Sequence, residues 1–288
     1  RAHELAFGDG RITAAAARQL AGPEANSRDR AKANALARQA LIQDPTAVVA
    51  VATLGLNSQI GGKAPLAKRL FAYADRLSRR EIQTQLWLIE EAVSRGDIAG
   101  ALLHYDVALR TSRTAPQILF PVLSSAISDA RIRNALLNKI IAGAPWGVNF
   151  IDYASINSDP IAAADLLEGL TRRGVTLEDE ARARVLVRLT TIGKTTAAWR
   201  YYSAMNPRAD PRRSRDARFS TNLEIPSPFD WTPINDPMGI SSSIQRGSDG
   251  AGVFDFHVPA TGNGPILRQL QVLPPGSYRL IGRSNGID

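Results

Sequence analysis

Alanines recur at a fixed spacing of 34 residues in the first half of the chain. One series is Ala33, Ala67, Ala101 and Ala135, and a second is Ala40, Ala74, Ala108 and Ala142. Four residues after each member of the first series stand Ala37, Phe71, Tyr105 and Lys139. A period of this length is typical of helical hairpins, which bury their apolar faces only by stacking on their neighbours. The spacing therefore favours a binding scaffold over an enzyme.

The residues around these alanines predict helices from the first apolar segment to Met205. Gly96 should end one helix and Asp97 should cap the next, as residues of these types commonly do. The interval between Ala135 and Ala164 is only 29 residues, which indicates a shortened unit near Pro145. The predicted helices are Ile12–Leu20, Asp29–Gln43, Thr46–Gln59, Pro65–Leu77, Arg80–Ser94, Asp97–Leu109, Ala115–Ser128, Ala130–Ala142, Gly147–Ala154, Asp159–Arg173, Leu177–Ile192 and Thr195–Met205.

Residues 12–205 resemble the tetratricopeptide repeat family. One unit carries Leu54-Gly55 in its first helix and Ala67, Phe71 and Ala74 in its second, as the family's pattern does. The next unit keeps Ala101, Tyr105 and Ala108 but has Ile89 where the glycine would stand, so related helical repeats stay open. In this architecture small residues let helices approach closely, and the aromatic residue fills the hole between hairpins.

The resemblance implies a superhelix in which the first helix of each hairpin lines a concave groove. The groove would be polar and mildly charged, which suits a peptide or a loop of a protein partner. Solvent-facing residues without a binding role are the alternative for each position. The predicted groove residues are Gln59, Gln83, Glu90, Ser94, Gln117 and Ser124.

The composition changes after Met205. Residues 206–218 contain arginines at 208, 212, 213, 215 and 218, which predicts a solvated basic linker. Short alternating segments separated by turn residues follow and indicate an antiparallel β-sandwich. We therefore predict a helical domain (1–205), a linker (206–218) and a β-module (219–288). The predicted strands are Asn222–Ile225, Gly239–Gln245, Val253–Val258, Ile266–Val272 and Ser277–Arg283.

The β-module resembles the opening half of a jelly roll of the carbohydrate-binding or galactose-binding type. The resemblance lies in Phe229-Asp230-Trp231, Leu267-Arg268-Gln269 and Leu273–Leu280. Such folds have about eight strands, so five predict an incomplete sandwich that is truncated here, disordered beyond Asp288 or completed by another chain. Its candidate glycan-binding residues are Trp231, Tyr278, Arg268 and Gln269. The two aromatic side chains would stack on a sugar ring or else pack in the core. Arg268 or Gln269 would form hydrogen bonds with sugar hydroxyls.

Charge and residue usage limit the kinds of binding and metal site that the chain can contain. The net charge is +8, and only five of the 35 basic residues are lysine. This excess of arginine suits the recognition of phosphates or carboxylates, or it reflects GC-rich codon usage. The absence of cysteine excludes disulfides and thiolate metal sites within the chain. The three histidines show no metal-ligand spacing, so we expect no cofactor or metal. Gly193-Lys194-Thr195 is expected to be a hairpin turn, because a phosphate-binding loop needs an earlier glycine and a preceding strand.

The α+β architecture so predicted, a repeat superhelix plus an incomplete sandwich, favours a non-enzymatic adaptor. It would bind a protein partner through the helices and a glycan through the β-module, and by analogy would serve bacterial envelope polysaccharide assembly or export. An enzyme with an inter-domain active site and, less favoured, a nucleic-acid-binding repeat protein are the alternatives.

The chain opens at Arg1 without methionine, so we expect a removed or missing upstream segment and favour an exported or membrane-associated protein over a cytoplasmic one. The sequence has no transmembrane segment.

Overall fold

A computed structural model describes residues 8–221, 223–237, 239–246 and 252–282. The chain divides into two compact units, Arg1–Gly147 and Val148–Asp288. The predicted boundary after residue 205 stays a prediction. None of the helices in the described ranges is both long enough and apolar enough to cross a membrane.

Eight helices lie in the described part of the first unit, and they confirm the predicted helical pattern to within a few residues. Helix α1 packs on α2, α3 on α4, and α5 on α6, while α2 and α4 each also contact the helix that follows. The stacking of successive hairpins is therefore established by this chain's own packing. The helices are α1 Gly10–Leu20, α2 Ser27–Gln43, α3 Val48–Ile60, α4 Ala64–Leu77, α5 Ile82–Ser94, α6 Ile98–Thr111, α7 Ala115–Ala126 and α8 Ala130–Ile141.

The helix boundaries follow local capping chemistry. The Asn26 side chain accepts from the Asp29 N–H while the Asp29 carboxylate accepts from the Asn26 N–H, so each satisfies a donor left open at the start of α2. Gly96 adopts a left-handed φ of 69° after α5, a conformation that glycine reaches without strain. Asp97 then caps α6 by accepting from Gly100 N at 2.8 Å, which confirms its predicted role.

The repeated alanines lie in the helix interfaces for three units. Ala33, Ala67 and Ala101 are buried, and Phe71 packs between Gly55 of α3 and Trp87 of α5, with the two rings stacked at 4.5 Å. A small residue in the first helix thus makes room for the aromatic side chain of the second. The prediction that this aromatic residue fills the space between hairpins is confirmed.

The fourth unit departs from the predicted register. Ala135 is only half-buried and Ala142 is exposed, whereas Leu136, Leu137 and Ile140 are buried instead. The buried stripe of α8 is therefore displaced by about one residue from the 34-residue series, which places the polar Lys139 beside the core rather than within it. Leucine and isoleucine side chains therefore occupy the buried positions of this helix that alanines occupy in the first three units.

The second unit begins with four helices and continues into a largely irregular segment. The helices are α9 Gly147–Asn157, α10 Pro160–Arg172, α11 Asp179–Thr191 and α12 Thr195–Met205. Ala164 and Ala198, again 34 residues apart, are buried. Arg184 of α11 reaches Asp152 of α9 at 2.7 Å and ties these two helices together.

The predicted β-sandwich is not present in the described residues. Two separate antiparallel pairs form instead, β1 Thr232–Pro233 with β4 Leu267–Arg268 and β2 Ser241–Arg246 with β3 Gly252–His257. Val253 and Phe256 of β3 stay exposed, so no second sheet covers this hairpin as a sandwich requires.

Three of the predicted strands are shortened or absent, for two different physical reasons. Ile266–Val272 forms a strand over only two residues, because the Leu270 N–H donates to Pro228 O and the Leu270 carbonyl accepts from Arg215. Residues 277–282 and 223–225 form none, and their apolar side chains, such as Leu280 at 89% exposure, lack a covering layer. Residues 222 and 283 lie outside the described ranges.

The basic segment 206–218 is not uniformly solvated. Arginines 208, 212, 213 and 218 are exposed as predicted, but Arg215 is buried against the rings of Trp199, Tyr202 and Phe229 at 5.2, 5.3 and 5.4 Å. Its guanidinium donates to the carbonyls of Phe229 and Leu270. Burial lowers the pKa of Arg215, while Tyr202 and Asp230 oppose that shift. Arg215 is thus the centre that holds the irregular segment on α12.

Candidate functional site

The predicted groove residues lie on α3, α5 and α7 but differ in exposure. Those with exposed side chains are Gln59, Glu90, Ser94 and Gln117. Gln83 is half-buried, and Ser124 is only 4% exposed. The Ser124 prediction is therefore wrong as to accessibility, because α7 turns this residue toward the core together with Leu119, Phe120 and Leu123. None of the six lines the cavity described next.

A cavity of about 660 Å³ opens instead across α2, α3 and α4, and we name it the basic groove. It is formed by the second helices of two successive hairpins together with the C-terminal end of α3. Its large apolar residues are Leu54, Ile60, Leu66 and Leu70, of which Ile60 and Leu66 are 52% and 37% exposed. Exposed apolar side chains gathered in a concave surface are characteristic of interaction sites.

A buried amide fixes the wall of the basic groove. Asn57 of α3 is 7% exposed, and its Nδ2 donates to Asn34 Oδ1 of α2 at 2.8 Å. The Asn57 Oδ1 accepts from Arg30 Nη1 at 3.4 Å, and its Nδ2 also lies 3.4 Å from the Arg30 carbonyl oxygen. Because a buried amide without partners would be costly, these contacts favour one arrangement of α2 against α3.

Three cations line the basic groove, and no carboxylate does. Arg30 and Arg38 lie on α2, and Lys63 precedes α4. Within the described ranges none of the three forms an ion pair. The surrounding low-dielectric walls strengthen the field of such cations at the groove, so it is chemically suited to carboxylates.

Sequence reasoning missed this groove, although two signals were present. Arg30, Asn34 and Arg38 follow one another at intervals of four residues, which places them on the same helix face. Asn57 directly follows the largely apolar run Val48–Leu56 on the same helix, where a buried polar residue needs a specific partner. The prediction considered only the first helices of the hairpins and so excluded α2 and α4.

The second unit has its own cavity, of about 770 Å³, between α11, α12 and residues 223–230. Several carboxylates line it, but most have structural partners. Asp179 pairs with Arg182 at 3.2 Å, Glu180 with Arg184 at 2.9 Å, and Asp230 accepts from Tyr202 Oη at 2.7 Å. Asp179 and Glu180 occupy the first turn of α11, where acids favour the helix dipole. This acidic cluster is therefore explained by the fold.

The four predicted glycan-binding residues have different environments. Trp231 is half-buried and packs against Phe219 at 5.6 Å. Gln269 is half-buried too and bonds Ser214 at 2.9 Å and the Arg215 carbonyl at 3.1 Å. Arg268 and Tyr278 are exposed, and the Tyr278 hydroxyl donates to the Pro274 carbonyl. Trp231, Gln269 and Tyr278 thus have structural contacts, while Arg268 and Tyr278 are the two that are exposed.

Titratable groups are scattered through the described part of the chain. It contains no cluster of three His, Asp or Glu residues arranged to hold a metal. His104 of α6 contacts Gln85 of α5 at 2.9 Å, and Gln85 in turn donates to Asp75 of α4. Burial lowers the pKa of His104, opposed by the Asp75 carboxylate. This chain of contacts joins two hairpins, which is a structural role.

Comparisons with known proteins give one weak likeness. No protein-family model matches the chain, and no curated protein matches it. Among solved structures it is similar to one described as a functional characterisation of PilF from Pseudomonas aeruginosa, with 16% sequence identity and a TM-score of 0.33. The match covers 69% of this chain and 95% of that one. At this score the likeness carries no conclusion, and the helical-repeat architecture rests on the packing described above.

Proposed function

We propose that the protein is a non-enzymatic scaffold that binds a segment of a protein partner in the basic groove. The observation that carries this proposal is the coincidence of exposed apolar residues and unpaired cations in one cavity across three helices. Helical segments with an apolar face commonly dock into grooves of this kind. The cavity lies within the usual volume range of binding sites, roughly 300–1,000 Å³.

The distribution of the cations favours a discrete protein segment over a nucleic acid. The residues 34 positions after Arg30 and Arg38 are Ala64 and Ala72, so the basic rim does not repeat along the array. A nucleic-acid backbone presents regularly spaced phosphates, and a repeat protein that tracks it needs regularly spaced cations. The basic groove offers one local site instead.

A substitution at the apolar surface of the groove tests this proposal. A random-peptide display library is selected on the full chain, and enriched peptides are titrated against the wild type and Leu66→Asp. Because a buried carboxylate disrupts an apolar contact, we expect the affinity to fall about tenfold or more. Leu103→Asp, at an exposed apolar residue of α6 outside the groove, is the matched control. Peptides that bind Leu66→Asp as tightly as the wild type would refute the groove as the site.

We further propose that the protein is exported to the cell envelope. There its C-terminal segment would bind a glycan. Support comes from the exposed ring of Tyr278, which the hydrogen bond to Pro274 holds in place, because exposed aromatic rings offer an apolar face to sugars. Glycan-array binding that Tyr278→Ala abolishes is the expected result. Unchanged binding, or none by either protein, would remove this part of the proposal.

A further inference from the structure

We infer that the occupant of the basic groove is an acidic amphipathic segment, an inference that rests on the proposed scaffold function. Such a segment would place carboxylates against Arg30, Arg38 and Lys63 and apolar side chains against Leu66 and its neighbours. The argument rests on three features of the groove, namely its unpaired charge, the fixed position of one cation and the spacing of the two arginines.

The charge of the groove is uncompensated, unlike that of many other cations in the same unit. Lys68 pairs with Glu91 at 3.1 Å, and Arg110 with Asp106 at 2.8 Å. Arg30, Arg38 and Lys63 have no such partner among the described residues, and no acid lines their cavity. A carboxylate that enters the groove is therefore attracted to these cations without displacing an existing ion pair. The charge of the groove thus favours acidic partners over neutral or basic ones.

One of the cations is already positioned. Asn57, itself held by Asn34 at 2.8 Å, accepts from one Nη of Arg30. The guanidinium has further N–H donors in a fixed plane, and these match the two oxygens of a carboxylate. Because part of the side-chain freedom of Arg30 is lost before binding, less conformational entropy is lost on binding.

The spacing of the arginines sets the spacing of the acids in the occupant. Arg30 and Arg38 are eight residues apart on α2, about 12 Å along the helix axis at about 1.5 Å per residue. Acids two helical turns apart in a helical occupant, or about four residues apart in an extended one, match this distance. Apolar residues between them would face Leu54, Leu66 and Leu70.

The test compares the peptides that the wild type and a charge-reversed variant select from a random display library. Arg38→Glu/Lys63→Glu reverses two exposed cations whose side chains make no hydrogen bond within the described structure. Arg28→Glu/Lys32→Glu makes the same charge change on α2 at exposed residues outside the groove. We expect wild-type peptides to combine acids with large apolar residues, and to lose affinity about tenfold in the groove variant but not in the control.

Each outcome separates this inference from the scaffold proposal. Acid-rich peptides that weaken with added salt and fail on Arg38→Glu/Lys63→Glu support the inference. Neutral or basic peptides that still depend on Leu66 would overturn it while leaving the scaffold function intact. If the full chain enriches no peptide, both the inference and the scaffold proposal are wrong.

Discussion

At the scale of single residues, close contacts between small and large side chains decide how the hairpins pack. A Cβ atom on Gly55 would lie 3.0 Å from Cε2 of Phe71, and Phe71 is itself held against Trp87. The sequence motif predicted that Phe71 fills the space between hairpins, and the structure shows that Gly55 provides part of that space. The motif did not predict Trp87, since nothing in the 34-residue pattern marks the face of α5 that Phe71 meets.

We predict that Gly55→Ala destabilises the protein despite the better helix propensity of alanine. The propensity gain is about 1 kcal/mol, whereas overpacking a confined site costs about 1–3 kcal/mol. We expect a net loss of about 1 kcal/mol in the free energy of unfolding, measured by urea denaturation. The double variant Gly55→Ala/Phe71→Leu should recover part of the loss. An alanine variant as stable as the wild type would show that Phe71 can move aside.

We predict that His104 makes stability depend on pH in a defined direction. Its folded-state pKa lies below the ordinary value of 6.5 because burial disfavours the charged ring. Between the two pKa values the unfolded chain binds more protons, so stability falls as the pH drops below 6.5. The urea midpoint should decrease from about pH 7.5 to about pH 5.5, and less so in His104→Gln. An equal decrease in both proteins would contradict this assignment.

At the scale of elements, the helices and the hairpin of β2 with β3 were predictable to within a few residues, whereas the other three strands were not. Helix boundaries depend on local signals such as Asp97 and Gly96, which the sequence displays directly. The strands beyond residue 219 depend on long-range pairing, and there Arg215 takes the Leu270 carbonyl that a longer strand would have used. Nothing in the arginine-rich composition of 206–218 distinguishes this buried residue from its exposed neighbours.

We predict that Arg215→Leu loosens the segment from residue 206 to residue 282. The change removes the ring contacts of the guanidinium and leaves the carbonyls of Phe229 and Leu270 without this donor, at a cost of about 1–3 kcal/mol for each buried group. Faster amide hydrogen exchange in that segment is the expected result. The control is Arg213→Leu, at an exposed arginine whose Nε lies 3.7 Å from a carboxylate oxygen of Asp210. Equal exchange in the two variants would contradict the role of Arg215.

At the scale of the whole molecule, a 34-residue period generates the repeats, while local departures from it generate the candidate site. The period predicts which alanines are buried in the first three units, because those hairpins make the same contacts with their neighbours. It does not predict the basic groove, since Arg30, Asn34, Arg38 and Asn57 have no counterparts one repeat later. The candidate site could therefore not be derived from the repeat pattern, which describes only what the units share.

The most direct test of the account is hydrogen exchange of the full chain with and without an enriched peptide. If the basic groove is the binding surface, protection on binding will be confined to α2, α3 and α4, with the largest change around Asn57 and Lys63. Protection on α5 and α7 instead, where Gln83 and Gln117 lie, would return the binding surface to the first helices of the hairpins and contradict the groove described here.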